Sequence, residues 1–190
     1  MKKLCGIDEA GRGPLAGPMV IAAVVLKKQI TQLDDSKKLT QKKREELFEE
    51  IIKNSIYHIV FKSAKEIDEK GISACIKSSI LEIMNNIKAE EYLMDGNTSF
   101  GILNLQHKIK ADATIKEVSA ASILAKVSRD KYMCEIAPKF PNYDFEKHKG
   151  YGTKAHVEKI KEFGRCSEHR VSFKLKSLNE DNIGIQKSLF

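Results

Sequence analysis

The chain has 190 residues, of which 42% are hydrophobic and 31% are charged, a globular composition that suits one domain with a substantial core. Its formal net charge of +7 favours a polyanionic partner or an anionic membrane surface, although a soluble basic protein without such a partner can carry the same charge. No run approaches the ~20 apolar residues of a membrane span. The four cysteines form no CxxC pair, which argues against a zinc site and a disulfide framework, so we expect a cytoplasmic protein with reduced thiols.

The first part of the chain predicts three strands and one helix. A short strand is expected over residues 4–8, and the nearly continuous apolar run MVIAAVVL at residues 19–26 predicts a strand that is buried on both faces. The glycines and prolines between them predict a β-loop-β unit. Thr40 is a candidate N-cap for a helix that ends near Asn54, and residues 56–61 form the next predicted strand.

Helices and strands alternate in the rest of the chain. A helical pattern over residues 64–87 is broken at Gly71, and the helix expected over residues 114–135 is rich in small residues that allow close packing on a sheet. The remaining predicted elements are strands at residues 92–95 and 107–110 and a helix at residues 154–163. A hairpin of strands followed by alternating helices and strands indicates an α/β domain with a mixed central sheet flanked by helices.

Four carboxylates lie at the ends of predicted strands: Asp8, Glu9, Asp95 and Asp112. Functional groups gather where the strands of such sheets end, and carboxylate oxygens are ligands that Mg²⁺ and Mn²⁺ prefer. Four of them would hold two ions ~4 Å apart, which supports attack of water on a phosphodiester. A single aspartate of this kind is more often a surface turn or a helix cap. Asp8 and Glu9 point to opposite faces of a regular strand, so both reach one site only if the strand ends or bulges there.

The segment GRGPLAG at residues 11–17 matches neither the Walker A nor the dinucleotide-binding pattern, and it leads to a strand rather than to a helix. It leaves exposed glycine backbone beside the Arg12 guanidinium, which suits a sugar or a phosphate; a tight turn without a ligand is the alternative. Tyr151 lies between two glycines in a basic segment, where its ring could stack on a sugar or base or be half-buried in the fold. His169 and Arg170 are either a further phosphate contact or a structural pair.

Six segments of the chain, taken in order, resemble bacterial ribonuclease HII, the type 2 ribonuclease H family. They are GIDEAGRGPLAGPMV, DDSKKLT, LMDGN, KADATIKEVSAASILAKVSRDKYM, HKGYGT and EHRVSF, and they cover roughly residues 3–175. The resemblance implies an RNase H-like fold with a small helical C-terminal portion, so that residues 1–176 form the catalytic domain. Ala111 stands where many relatives have glycine, a departure that changes no ligand.

The resemblance implies an endoribonuclease that cleaves the RNA strand of RNA–DNA hybrids and the 5′ side of ribonucleotides embedded in duplex DNA. Two-metal-ion hydrolysis with Mg²⁺ or Mn²⁺, leaving 3′-hydroxyl and 5′-phosphate ends, is then expected at Asp8, Glu9, Asp95 and Asp112. A lone ribonucleotide differs from its DNA neighbours by its 2′-hydroxyl, so the enzyme must contact that group closely. Glycine backbone permits such an approach.

The same resemblance assigns substrate binding to residues of four matching segments. Backbone groups of the GRG segment would contact the ribose 2′-hydroxyl, and the tyrosine ring would stack on the deoxyribose that follows the ribonucleotide. The candidate substrate-binding residues are Gly11, Arg12, Gly13, Lys37, Asn97 and Tyr151.

Two other functions are compatible with parts of this pattern. A non-catalytic nucleic-acid-binding module would use the basic surface, but four carboxylates beside a phosphate groove would repel its ligand in the absence of metal. A related two-metal nuclease or resolvase acting on DNA alone would use the carboxylates but neither the GRG segment nor Tyr151. No feature of the sequence demands a partner subunit, and we expect a monomer.

Residues 177–190 lose hydrophobic periodicity and become polar, which predicts a flexible tail. The tail ends in QKSLF and is similar to the Q-x-[S/D]-L-F peptide with which bacterial replication proteins bind the sliding clamp. Gln186, Leu189 and Phe190 are then candidate partner-binding residues, because a terminal Leu-Phe pair suits an apolar pocket. The alternative is an incidental tail.

Overall fold

A five-stranded mixed sheet forms the centre of the fold in the computed structural model, which describes residues 3–33 and 39–174. Its strands are β1 (Leu4–Ala10), β2 (Met19–Leu26), β3 (Ser55–Lys62), β4 (Glu91–Asp95) and β5 (Leu105–Lys108). They lie in the order β3-β2-β1-β4-β5. Neighbours among β1, β2 and β3 are antiparallel, whereas β4 pairs in parallel with both β1 and β5. The predicted α/β class with a mixed sheet is confirmed.

Six α-helices occur in the described part of the chain: α1 (Gln41–Asn54), α2 (Ala64–Lys70), α3 (Ile72–Asn86), α4 (Lys116–Ile136), α5 (Phe145–His148) and α6 (Lys154–Phe163). The Thr40 hydroxyl caps α1 by accepting a hydrogen bond from the Lys43 N–H, as predicted. Gly71, with φ 79°, separates α2 from α3 at the predicted break. Across the residues that the structure describes, no helix combines the length and the apolar character needed to cross a bilayer.

The predicted boundaries were least accurate near the fifth strand. β5 begins and ends two residues earlier than predicted. It ends early because Lys110 adopts a left-handed conformation with φ 58° and a 3₁₀ turn follows at Ala111–Ala113. That turn also delays the start of α4 to Lys116. β1 extends to Ala10, two residues beyond its predicted end.

Both faces of the sheet are covered by helices. The odd-numbered residues of β2, from 19 to 25, pack with α2 and α3, and its even-numbered residues, from 20 to 24, pack with α1 and α4. The prediction that this strand is buried on both faces is therefore confirmed. Cys5 and Cys75 are buried within the first of these clusters, and all four cysteines of the chain are free thiols, as predicted.

Helix α4 packs closely on β1. A Cβ atom added at Gly6 would lie 2.3 Å from both the backbone carbon of Glu117 and the backbone nitrogen of Val118, so only glycine fits there. The small residues of α4 at positions 119–122 permit this approach. The contact fixes the axis of α4 relative to β1, and it places Ser122 and Arg129 beside the carboxyl end of the strand.

The residues after α4 form a small helical C-terminal portion that packs on the loop between β1 and β2. We call that loop, residues 11–18, the glycine loop. Ala16 shares a buried cluster with α4 and with the segment around Phe145, and it forms an isolated antiparallel bridge with His169. The backbone N–H groups of Leu15 and Ala16 both donate to the carbonyl oxygen of Gly150. The glycine loop is therefore enclosed on two sides.

Candidate active site

Three carboxylates meet at one edge of the sheet. Asp8 is on β1, Asp95 ends β4, and Asp112 lies in the 3₁₀ turn that follows β5. Because β1, β4 and β5 are parallel, their carboxyl ends lie at the same edge. One carboxylate oxygen from each residue lies within 4.8 Å of those of the other two. Three of the four carboxylates that were predicted at strand ends therefore lie together in the structure.

Hydrogen bonds hold Asp8 and Asp95 in place and tie down the turn that carries Asp112. Asp95 Oδ1 accepts a hydrogen bond of 2.7 Å from the Ala111 N–H, which ties the turn carrying Asp112 to the end of β4. Asp8 Oδ1 accepts from the Glu9 N–H at 2.7 Å, and its carboxylate also accepts from the Ser122 hydroxyl of α4. The cluster is therefore built into the backbone rather than formed by mobile side chains.

The electrostatics of the cluster favour a bound cation. Asp8 is only 6% exposed, and burial raises its pKa well above its usual range. The charges of Glu9 and Asp95 raise that pKa further, and the hydrogen bonds from Ser122 and from the Glu9 N–H offset the rise in part. Three converging carboxylates carry their full charge at low cost only when a cation neutralises them. Their hard oxygen atoms fit Mg²⁺ or Mn²⁺.

Glu9 lies near this cluster but is not one of its three carboxylates. β1 pairs with β2 in unbroken register as far as Ala10, so neither Asp8 nor Glu9 sits in a bulge. The strand ends one residue after Glu9, and the Glu9 side chain lines the same cavity as Asp8. Its Oε1 lies 3.3 Å from Arg12 Nη1. The arrangement places an arginine directly beside the carboxylate cluster.

A cavity of about 200 Å³ opens beside the carboxylates. The residues that line it are Asp8, Glu9, Ala10, Gly11, Asp95, Ser122, Lys126 and Tyr151. Asn97 is exposed and is not among them, and Lys37 lies outside the described residues. Sequence reasoning missed Ser122 and Lys126; their spacing of four residues on a predicted helix was the available signal, because it places both on one face.

Two glycines of the glycine loop have different environments. Gly11 is buried with φ +93°, and an added Cβ would lie 2.3 Å from Arg129 Nε and 2.7 Å from the Pro18 carbonyl oxygen. Gly13 is exposed, and an added Cβ would meet no atom within 4 Å. The fold therefore requires glycine at position 11 but not at position 13.

Tyr151 is 44% exposed and faces the cavity that the aspartates line. Its ring centroid lies 5.6 Å from Arg129 Cζ, within the range of a cation–π contact. Its backbone N–H donates to the His148 carbonyl oxygen, and its carbonyl oxygen lies 2.9 Å from His156 Nδ1. The backbone of Tyr151 is therefore held firmly while one side of its ring remains accessible.

A line of buried histidines supports the Tyr151 backbone. The Cys166 N–H donates to His169 Nδ1 at 2.9 Å, so the proton of a neutral His169 ring lies on Nε2. His169 Nε2 is 3.0 Å from His156 Nε2, which therefore accepts, and the His156 Nδ1–H donates to the Tyr151 carbonyl oxygen. Burial lowers the pKa of His156 to about 4 and that of His169 to about 3, which agrees with neutral rings.

The structure decides between the two interpretations of His169 and Arg170. Their exposed fractions are 2% and 0%, so neither side chain can reach a phosphate in solvent. Of the two alternatives, the phosphate contact is therefore excluded and the structural role is confirmed. The reason is that the glycine loop and the C-terminal portion close over both residues.

Comparisons with known proteins point to one family. The family model described as Ribonuclease HII matches residues 5–176. The ribonuclease HII of Aliarcobacter butzleri is 67% identical over 192 aligned residues and covers 100% of each chain, and that of Sulfurovum sp. is 55% identical, covering 96% of this chain and 97% of its own. A solved structure, the PCNA:RNase HII complex from Archaeoglobus fulgidus, superposes with a TM-score of 0.80 at 30% identity, covering 94% of this chain and 98% of the other.

Proposed function

Because the chain belongs to the ribonuclease HII family and is therefore a metal-dependent endoribonuclease, we propose that it cuts two kinds of substrate. It cleaves the RNA strand of RNA–DNA hybrids, and it cleaves duplex DNA on the 5′ side of an embedded ribonucleotide. The observation that carries this proposal is the cluster of three carboxylates within 4.8 Å, next to a cavity that Gly11 of the glycine loop and Tyr151 also line.

Asp8, Asp95 and Asp112 would hold the metal, which we propose to be Mg²⁺ or Mn²⁺, with Glu9 as a fourth ligand. When bound, divalent ions supply a water of lowered pKa and stabilise the 3′-oxygen that leaves, so that 3′-hydroxyl and 5′-phosphate ends result. Ser122 holds the Asp8 carboxylate in its orientation. Lys126 also lines the cavity, and its Nζ forms an ion pair of 2.8 Å with Asp130 Oδ1. This ammonium would contact an entering phosphate by turning away from Asp130.

Backbone groups of the glycine loop contact the ribose in this proposal. Gly13 supports this contact, because the fold itself leaves room for a side chain at that position. The close approach of a ligand would explain why the residue is glycine. Arg12 is exposed beside Glu9 and is placed to meet a phosphate near the metal. The Tyr151 ring would stack on the following deoxyribose. Substrate binding by Asn97 and Lys37 stays a prediction.

The test is cleavage of an end-labelled DNA duplex that contains one ribonucleotide, with Mg²⁺, with Mn²⁺ and with a chelator. We expect one cut on the 5′ side of the ribonucleotide in either metal and none in the chelator. A matched all-DNA duplex controls for DNA nuclease activity. Cleavage in the chelator, or cleavage of the all-DNA duplex at a similar rate, would overturn the proposal.

We also propose that residues 1–176 act as a monomeric catalytic domain in the cytoplasm and that residues 177–190 bind the sliding clamp. The tail lies outside the described residues, so this proposal rests on the QKSLF ending and on the Archaeoglobus protein, which was solved in a complex with PCNA. A pull-down with purified clamp tests it. Deletion of residues 186–190 should abolish capture without changing cleavage; capture that survives the deletion refutes it.

A further inference from the structure

Two almost fully buried arginines bind the glycine loop from the interior of the protein. Arg129 on α4 is 1% exposed and Arg170, after α6, is 0% exposed. Within the described residues neither guanidinium lies within 4.0 Å of a carboxylate oxygen, and burial lowers the pKa of both, that of Arg170 to about 10. Burying a charge without a counter-ion is costly unless hydrogen bonds compensate. We call these residues the buried arginine pair.

Arg170 binds three carbonyl oxygens of the loop. Its Nε and Nη2 donate to the Gly17 carbonyl oxygen at 3.0 and 2.8 Å, its Nη1 donates to that of Arg12 at 3.0 Å, and its Nη2 also donates to that of Gly11 at 2.6 Å. The planar fork of a guanidinium suits several acceptors at once, whereas a lysine ammonium is a single point of charge.

Arg129 binds two further carbonyl oxygens and connects the loop to Tyr151. Its Nε donates to the Pro18 carbonyl oxygen at 2.9 Å, and its Nη2 donates to that of Ala16 at 3.0 Å. Its Cζ lies 5.6 Å from the Tyr151 ring centroid. Arg129 therefore contacts both segments to which we assign substrate recognition.

The bonds to Arg170 determine where the loop N–H groups point. The peptide bonds of the described chain include no cis bond, and in a trans peptide the C=O and the following N–H point in opposite directions. Because the carbonyls of Gly11 and Arg12 point inward to Arg170, the N–H groups of Arg12 and Gly13 point outward. Both residues are exposed, so these N–H groups face the side from which a substrate approaches.

We propose that the buried arginine pair fixes the backbone of the glycine loop so that the N–H groups of Arg12 and Gly13 select for a ribose 2′-hydroxyl. This inference rests on the proposed function. Arg129 and Arg170 are positioning residues, because they act on the substrate only through the loop. Loss of either fork should therefore weaken the preference for a ribonucleotide and not only the overall rate.

The test compares Arg170→Lys and Arg129→Lys with the matched control Arg165→Lys. Arg165 also donates to two carbonyl oxygens, those of Arg170 and Phe173 at 2.7 and 2.9 Å, but neither belongs to the glycine loop. Preference is measured as the inhibition constant of an all-DNA duplex divided by the KM of the same duplex with one ribonucleotide. Thermal unfolding and Mn²⁺ binding are measured on each variant.

We expect both variants of the pair to lower this preference at least ~10-fold while Mn²⁺ binding is retained, and we expect Arg165→Lys to keep the preference. A folded Arg170→Lys protein with wild-type preference would overturn the inference, as would an equal loss in Arg165→Lys. If Arg170→Lys does not fold, Arg129→Lys decides; if neither folds while Arg165→Lys does, the pair serves stability alone and the inference fails. A wild-type enzyme without any preference would instead refute the proposed function.

Discussion

Gly11 and Gly13 are two residues apart in the same loop, yet we expect opposite consequences when each is replaced by alanine. At Gly11 the new Cβ would lie 2.3 Å from Arg129 Nε and 2.6 Å from Arg129 Cδ. Arg129 cannot easily move, because its guanidinium is bonded to two loop carbonyls. Overpacking of this kind costs roughly 1–3 kcal/mol, and a φ of +93° adds about 1 kcal/mol for a residue with a Cβ.

The free energy of unfolding of Gly11→Ala should therefore fall by roughly 2–4 kcal/mol. In a protein of this size each kcal/mol corresponds to about 2–4 °C, so Tm should fall by roughly 4–16 °C. Gly13→Ala should change the free energy of unfolding by no more than ~0.5 kcal/mol, because nothing surrounds the added Cβ. Its cleavage of a single-ribonucleotide duplex should nevertheless fall about 100-fold, since a displacement of ~1 Å in the bound substrate costs that much.

Both variants are assayed by thermal unfolding and by steady-state cleavage. Gly164→Ala is the control: Gly164 has a positive φ like Gly11 and open space like Gly13, and it lies outside the glycine loop. A Gly11→Ala protein that unfolds at the wild-type temperature would contradict the packing described here. Full activity of Gly13→Ala would refute the argument that a ligand, rather than the fold, accounts for that glycine.

Three further predictions follow from the site. Asp8→Asn should abolish cleavage and leave duplex binding largely intact. It should also raise Tm in chelator, because a buried carboxylate with a raised pKa destabilises the metal-free fold at neutral pH. A lower Tm in chelator would contradict this. Tyr151→Ala should reduce cleavage of a single embedded ribonucleotide more than cleavage of a long hybrid, and equal losses in a side-by-side assay would exclude the junction role. The pKa of His156 and of His169 is lower in the folded chain than the usual 6.5, so their contribution to stability is complete above about pH 6.5 and is lost as pH falls toward 4. The free energy of unfolding, measured between pH 7 and 4, should show this decline. His156→Gln should make the decline with pH less steep. An equally steep decline in the variant would contradict the neutral state of the two buried histidines.

Local signals in the sequence were sufficient to predict most helices and strands and to place the three aspartates at strand ends. The bounds of β2 and α6 match their predicted ranges, because an uninterrupted apolar run and a Thr cap with a following glycine are strong local signals. The predicted ends of three strands placed Asp8, Asp95 and Asp112 at one edge. The end of β5 was predicted two residues too late, because Lys110 is left-handed at a position where no glycine or asparagine signals that conformation.

The hydrogen bonds from the buried arginine pair to the glycine loop could not be predicted in the same way. The bonds from Arg170 to the glycine loop join residues up to 159 positions apart, and those from Arg129 join residues up to 113 positions apart. No periodicity or spacing indicates such pairs. Arginine is also among the residue types that are least often buried, so an arginine in a sequence is expected to have a solvated side chain.

Helix α4 joins the two halves of the proposed mechanism. Ser122 and Arg129 are two helical turns apart, on the same face and about 10 Å from each other along the axis. The first bonds to Asp8 of the carboxylate cluster, and the second bonds to the glycine loop and contacts Tyr151. Because Gly6 fixes the approach of α4 to β1, the distance between the proposed metal ligands and the glycine loop is set by one continuous helix. Cleavage beside a ribonucleotide requires such a fixed distance, since the bond that is cut must lie one step from the sugar that is recognised.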